Sequence, residues 1–344
     1  MKNFRFAERL AADLNLLPAA LYDAFPAVLF GRVLVLASRL SVFEALDRGP
    51  MTAGEVSSRL ELPRQSAELI LSSLEAKSYL RRKGERYTLA PQARKWLLKS
   101  SAHYMGHFLR YIELLHGRWM SLELSLKSGA PEQGYAATFT SAEWLIYTDG
   151  MMDLARLIAP RLLPHLTLPR TANSLLDIGG SHGLYSIELC RRSPRLRATI
   201  ADLPPVLERT REIVREHGLS DRISLLPCDL ASSSFAPAGF DAELIFNVVH
   251  GFAARENRDL LARAASALTP GGRLFILDQF KREQSKGADR LLPLMVGINL
   301  LNEAGGNVYD AGEVMGWCRE AGFAEVRLKR LSLPGVGLII ADKT

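Results

Sequence analysis

A chain of 344 residues, 48% hydrophobic and 23% charged, has the balance of an ordinary globular protein and enough length for two cores. Its formal net charge of +6 is spread along the chain rather than blocked, which argues against a nucleic-acid-binding tail. Cys190, Cys228 and Cys318 stand far apart with no Cys-x-x-Cys spacing, so neither a zinc site nor a disulfide framework is indicated and a reducing cytoplasm fits.

Residues 1–10 are charged throughout and hold no signal-peptide core. From Phe25 to Leu46 the spacing of Val28, Leu29, Val33, Leu36, Leu40, Phe43 and Leu46 predicts one long helix with a face to bury. Next come Thr52 to Leu60, with Thr52 and Glu55 as a capping box, then a Leu62-Pro63 turn, a helix over Arg64 to Lys77 and a charged hairpin ending at Leu89. This order is a winged helix. Its would-be recognition helix offers Leu69, Ile70, Leu71 and Leu74, which suit packing better than a major groove, so no nucleic-acid partner is expected and a DNA-binding regulator is only a remote alternative.

Ser101 to Leu126 reads as helical and aromatic-rich; His103, His107 and His116 are not at metal-ligand spacing, and no metal is expected. After a break at Gly129 to Gly134, a helix is expected over Ala142 to Leu163, bounded by Pro160 and Pro164, with Tyr147 and Met151 four apart on one face. The run Leu291 to Asn302 is apolar but too short to span a bilayer, so no membrane association is expected.

Beyond Pro164, strands over Ser174 to Ile178, Leu196 to Asp202, Arg222 to Leu226, Ala242 to Val249 and Arg273 to Asp278 alternate with helices, which implies a parallel sheet covered on both faces. The strands Ala324 to Leu331 and Gly335 to Ala341 are joined by a Leu333-Pro334-Gly335 turn too short for a crossover, so the last strand must be antiparallel. The expected fold is α/β, a Rossmann-like seven-stranded, mainly parallel sheet preceded by the mostly helical winged-helix domain. The expected domains are residues 1–100, a helical linker carrying pocket helices over 101–168, and a ligand-binding domain over 169–344.

The first of these strands stops in Asp177-Ile178-Gly179-Gly180-Ser181-His182-Gly183, a glycine turn that lets a ligand approach bare backbone. Asp177 precedes the first glycine, which departs from the dinucleotide spacing. Asp202 and Asp229 stand at or just beyond the next two strand ends. Three acids without a Lys/Arg cluster suit a cationic nucleoside lacking phosphates, and S-adenosylmethionine has that chemistry.

Taken together, Leu175 to Gly183, Asp202-Leu203-Pro204, Cys228-Asp229-Leu230, Val248-Val249-His250 and Leu268 to Leu274 resemble the class I methyltransferase domain of the caffeate/hydroxyindole-type O-methyltransferases, over most of the chain. The resemblance implies S-adenosylmethionine held by Asp177, Gly179, Gly180, Gly183, Asp202, Leu203, Asp229 and Leu230, with Tyr147 beside it. It implies His250 as the base that deprotonates a small-molecule acceptor, Asp278 as an acid beside it, and Met151, Asn299 and Glu303 lining the acceptor pocket. It also implies a homodimer formed through the N-terminal domain, whose helices close the partner's pocket, and a place in secondary metabolism.

The departures from the family pattern are local. His250-Gly251-Phe252 stands where the family has His-Asp-Trp, and Val308 stands where a second acid would flank the histidine; Asp310 and Glu303 are the nearby acids available to substitute. Asn299 and Glu303 replace apolar and amide positions, which points to a more polar acceptor, phenolic or enolic. Transfer to nitrogen or carbon, or a non-methylating use of the bound cofactor, is the alternative function.

Overall fold

A computed structural model describes residues 18–132, 134–235, 238–281 and 286–344, and the chain divides into two compact units between Leu114 and Leu115. In the first unit the helices α1 (Ala19–Arg39) and α2 (Val42–Asp47) precede β1 (Met51–Thr52), α3 (Ala53–Leu60), α4 (Arg64–Ala76), the hairpin β2 (Leu80–Lys83) and β3 (Arg86–Leu89), and α5 (Pro91–Trp96). The expected single helix over Phe25 to Leu46 is therefore two. Ser41 takes φ 60°, a left-handed conformation that no helix continues through, and it re-aims Phe43 and Leu46 into the core.

The capping box at the start of α3 is present: Glu55 N–H donates to Thr52 Oγ1 at 3.2 Å, and Thr52 N–H donates to Glu55 Oε2 at 2.6 Å. The strand order β1-β3-β2 completes the winged-helix arrangement. Leu71 and Leu74 of α4 pack with Phe43, Leu46, Val56 and Leu80, so the would-be recognition helix spends its apolar face on the core. Phe25, Val28 and Leu29 on α1 remain exposed.

After α6 (Gly106–Arg118), the second unit contains α7 (Leu122–Ser128), α8 (Tyr135–Thr138) and α9 (Ser141–Leu162). Pro160 lies inside α9 rather than bounding it. The sheet follows as β4 (Ser174–Ile178), β5 (Arg197–Asp202), β6 (Ile223–Pro227), β7 (Phe240–Phe246), β8 (Leu268–Gln279), β9 (Phe323–Arg330) and β10 (Val336–Lys343). Its helices are α10 (Leu184–Arg192), α11 (Pro204–Glu216), α12 (Ala254–Ala267), α13 (Ala288–Ala304) and α14 (Ala311–Glu320).

The seven strands lie in the order β6-β5-β4-β7-β8-β10-β9, with β10 antiparallel to both neighbours and the pairs from β6 to β8 parallel. Alternation along each strand splits the core into two layers. Leu175, Leu244, Phe275 and Leu338 pack with Met152, Leu162, Ile187 and Val214, whereas Leu176, Ile245, Ile276 and Ile339 pack with Leu260, Leu261, Val314 and Trp317. Strand β7 stops at Phe246, short of the expected Val249, and His250 sits in a 3-10 turn over Val249–Gly251 just beyond it. Strand β8 begins at Leu268, ahead of the expected Arg273.

Among the described residues no helix is long and apolar enough to cross a membrane, and no group of His, Cys, Asp and Glu side chains could hold a metal ion.

Candidate active site

Parallel strands that end together leave their last residues and following loops on one sheet edge, where ligands of open α/β folds bind. At the end of β4, Gly179 takes φ +71° and donates its N–H to the Ala201 carbonyl. A Cβ there would lie 2.4 Å from Val248 Cγ2, and one at Gly183, φ +67°, would lie 2.7 Å from Ile200 Cδ1. One at Gly180 would lie 2.6 Å from the Asp177 carboxyl carbon. All three glycines are thus fixed by close approach of the chain to itself, and they leave the loop backbone bare.

Two carboxyls brace this loop. Asp177 is buried beneath it, accepting from Ser186 Oγ at 2.7 Å, and burial, with the Asp202 charge added, pushes it up to about 7 against that hydrogen bond. Asp202, 9% exposed, accepts the N–H of Ser181 at 2.9 Å and of Leu203 at 2.7 Å; burial still pushes it up to about 6. Ser181 is held at φ +40° with its carbonyl accepting from Thr210 Oγ1 and its own buried hydroxyl unpartnered. His182 is buried, accepts from the Leu184 N–H at 3.1 Å, and is pushed down to about 3 by burial and then by Arg156, so it stays neutral.

Further along the edge, Asp229 is exposed and accepts from the Ala231 N–H at 2.9 Å, while Leu230 is buried against Gly179. Tyr147 of α9 stacks on Tyr135 at 6.1 Å and meets Trp144 edge-on at 5.5 Å; Met151, one turn further, is half-buried.

Beyond β7 the chemistry changes. His250 Nδ1 lies 2.5 Å from Asp278 Oδ1, and the His250 N–H donates to Asp278 Oδ2 at 3.2 Å. Asp278, 1% exposed, also accepts the N–H of Gln279 at 2.7 Å. The Asn307 N–H donates to the His250 carbonyl at 2.9 Å, and a Cβ at Gly306 would lie 2.0 Å from that oxygen, so this segment presses on the histidine's backbone. Val308 is buried, Asp310 caps α14 by accepting from the Gly312 N–H at 2.6 Å, and Glu303 is engaged elsewhere.

Glu303, 2% exposed, pairs with Arg118 Nε and accepts from Asn302 Nδ2 at 2.9 Å. Asn302 in turn accepts from Ser125 Oγ at 2.9 Å, and Asn299 Oδ1 accepts from Trp119 Nε1 at 2.7 Å. The polar face of α13 is thereby tied to the segment running from Arg118 to Ser125. Sequence reasoning passed over Arg118 and Asn302, and nothing in their spacing signals the pairing across more than 170 residues. It also missed Asn247 and Gln279, which meet at the ends of β7 and β8 with Gln279 Nε2 donating to Asn247 Oδ1 at 3.2 Å.

The edge fits S-adenosylmethionine on its own features: a bare glycine turn, a buried carboxylate with unused acceptor capacity at Asp202, and the orphaned Ser181 hydroxyl beside it. Fold and edge together define a class I methyltransferase. Comparison with known proteins makes this specific: residues 127–324 match the O-methyltransferase domain and residues 22–100 the O-methyltransferase dimerisation domain, and the chain belongs to this O-methyltransferase family. It is a methyltransferase that uses S-adenosylmethionine to methylate a small molecule at oxygen.

The chain is 26% identical over 337 residues to the 3-hydroxy-5-methyl-1-naphthoate 3-O-methyltransferase of Streptomyces sahachiroi, covering 94% of each. It is 28% identical over 253 residues to the N,N-dimethyltransferase OxyT of Streptomyces rimosus, covering 70% of this chain and 72% of that one. In fold it is similar to human N-acetylserotonin methyltransferase, solved in complex with S-adenosylmethionine, with a TM-score of 0.84, 20% identity and coverage of 99% and 98%.

Proposed function

We propose that the enzyme methylates a phenolic or enolic hydroxyl, with His250 as general base and Asp278 holding it. The bound cofactor supplies a methyl group activated on a sulfonium. The protein has to align the acceptor and take its proton. A phenol with pKa ~10 is ionised to about one part in a thousand at pH 7, a deficit of roughly 4 kcal/mol, so a positioned base matters. The observation that carries the reading is the 2.5 Å contact between His250 Nδ1 and Asp278 Oδ1. Asp278 fixes the proton on Nδ1, leaves Nε2 as the acceptor of the substrate proton, and stabilises the imidazolium that results. Val308 leaves that arrangement with one acid rather than two.

Gly179, Gly180 and Gly183 would receive the cofactor against bare backbone, Asp202 its ribose hydroxyls, and Leu203, Asp229, Leu230 and Tyr147 its remaining nucleoside surface, with Asp177 supporting the loop from below. Met151, Asn299 and Glu303 would face the acceptor, the last two through the network tying α13 to Trp119 and Arg118. The dimerisation-domain match and the exposed Phe25, Val28 and Leu29 support a homodimer formed through the first ~100 residues, with residues 101–168 carrying pocket helices and 169–344 the methyltransferase domain. Three free cysteines support a reducing, cytoplasmic setting, and the spread of charge supports a partner list without nucleic acid or membrane.

The test is incubation with S-adenosylmethionine and a panel that includes 3-hydroxy-5-methyl-1-naphthoate, N-acetylserotonin and matched amines, reading S-adenosylhomocysteine. Turnover of hydroxylated members is expected. Turnover of amines alone, as the name of the OxyT relative describes, would overturn the hydroxyl assignment.

A further inference from the structure

Helix α13 sets Asn299 and Glu303 four apart on one face, and just past its end the Asn307 N–H donates to the His250 carbonyl. Tyr135, stacked on Tyr147, is pushed up by burial first and then by the charges of Asp202 and Glu303, so the cofactor edge and this face of α13 both come near it. Two of the polar side chains here are occupied by protein. Glu303 Oε2 pairs with Arg118 Nε and its Oε1 accepts from Asn302 Nδ2 at 2.9 Å. Asn302 Nδ2 also donates to the Arg118 carbonyl at 3.1 Å, while its Oδ1 accepts from Ser125 Oγ at 2.9 Å.

Asn299 is different. It is half-buried, and its Oδ1 accepts from Trp119 Nε1 at 2.7 Å. An indole N–H can only donate, so the carboxamide has one orientation: oxygen towards Trp119, NH2 away from it. Among the described residues no protein acceptor meets those two N–H groups. Two fixed donors suit a carbonyl oxygen, which has two lone pairs and no proton to place. A hydroxyl fits less well, because the side-chain oxygens of Asn299, Asn302 and Glu303 already accept from protein donors. We propose that Asn299 selects an acceptor bearing a carbonyl oxygen, of a ketone or a carboxylate, by donating its N–H groups to that oxygen, an inference that rests on the reading of α13 as facing a hydroxylated acceptor.

The competing account is purely structural, with Asn299 present only to serve the Trp119 N–H. Asn299→Asp separates the two. The carboxylate still accepts from Trp119 but turns an oxygen, in place of the NH2, towards the acceptor. Three probes read the result: 3-hydroxynaphthalenes carrying an acetyl, a carboxylate or an isopropyl group at ring carbon 1. The three substituents have similar shapes, and only the first two offer a carbonyl oxygen. The quantity measured is the ratio of kcat/KM for each carbonyl-bearing probe to that for the isopropyl one.

The parent enzyme should prefer the acetyl probe about fivefold or the carboxylate probe about tenfold over the isopropyl one, mainly through KM, and the larger ratio tells ketone from carboxylate. Asn299→Asp should bring the acetyl ratio to about one and reverse the carboxylate ratio by like-charge repulsion. Asn299→Leu, which gives up the Trp119 hydrogen bond as well, should lose the same preference and also melt lower. Trp119→Phe should lose part of the preference, because the carboxamide is then free to turn. Turnover of all three probes by the parent with ratios near one would overturn the proposal, as would an Asn299→Asp enzyme whose ratios match the parent's. If the parent methylated none of the three, the hydroxyl reading itself would be at fault and this inference would fall with it, an outcome distinct from the other two.

Discussion

Asp202 and Asp278 both stand at the ends of parallel strands on one sheet edge and both are buried, yet they are satisfied differently. Asp202 accepts two backbone N–H groups and is still pushed up to about 6 by burial, so its carboxylate is under-served by the protein. Asp278 accepts from the His250 ring, the His250 N–H and the Gln279 N–H, so three protein donors serve it. The difference teaches how to assign carboxyls on such an edge: one left short of donors is built for a ligand, and one well served by protein is built to hold another side chain.

The strongest way to break the comparison is at the filled end. His250→Ala should lower methyl transfer by roughly 10²–10⁴-fold with cofactor affinity nearly intact, and the loss should shrink as pH approaches the acceptor's own pKa. Asp278→Asn should cost less in kcat, because it disturbs the tautomer and the imidazolium rather than removing the base. A His250→Ala enzyme with parental kcat at pH 7 would leave alignment alone as the mechanism.

At the under-served end, Asp202→Ala should weaken S-adenosylhomocysteine by roughly 10- to 100-fold through loss of charge-assisted hydrogen bonds. Calorimetry should also show a pH dependence that sharpens the contrast. Ribose hydroxyls donate to the carboxylate, not the acid, so binding releases the proton that burial holds on Asp202 up to about pH 6. Affinity should therefore be about tenfold weaker at pH 5 than at pH 7 and level above that, and Asp202→Asn should abolish the trend. A flat profile in the parent enzyme would place the acid outside the ligand's reach.

The smallest effect concerns a third carboxyl that fits neither category. Glu243 in the middle of β7 is wholly buried with neither oxygen hydrogen-bonded, and burial holds it well above the usual carboxylate range, against the weaker pull of Lys343. Its folded-state pKa lies above the unfolded one, so its cost to stability is absent below about pH 4.5 and grows as pH rises towards the folded value. Glu243→Leu should accordingly raise stability by about 1–3 kcal/mol near neutrality and by less at pH 4.5, read as melting temperatures at both. A variant that melts lower than its parent at pH 8 would show that Glu243 has an unrecognised partner.

Much of this was legible in the chain. The apolar runs capped by glycine or aspartate gave β4 and β5 within a residue, and the short Leu333-Pro334-Gly335 turn announced the antiparallel strand. Local signals failed where a single backbone torsion or a distant partner decides the outcome. Nothing in Arg39-Leu40-Ser41 marks Ser41 for φ 60°, so one expected helix became two. The sequence placed Glu303 and Asn299 at pocket positions but gave no sign of their partners, Arg118 and Trp119, which lie 185 and 180 positions away. Asn247 carries a faint signal, an asparagine just past a strand end, but its partner arrives only with the pairing of β7 and β8.

The place of β10 in the sheet has a consequence for folding. Strand β9 precedes β10 in the chain, yet among the described residues its one sheet neighbour is β10, which must slip between it and β8. Until β10 is made, β8 presents an open edge along Arg273 to Gln279 and β9 has nothing to pair with. A chain in which β10 has not yet formed thus carries two unpaired strand edges, the kind of exposed template on which other chains dock. Refolding of this enzyme should then depend on how quickly the segment 331–343 pairs between β8 and β9, more than on the stability of the finished sheet.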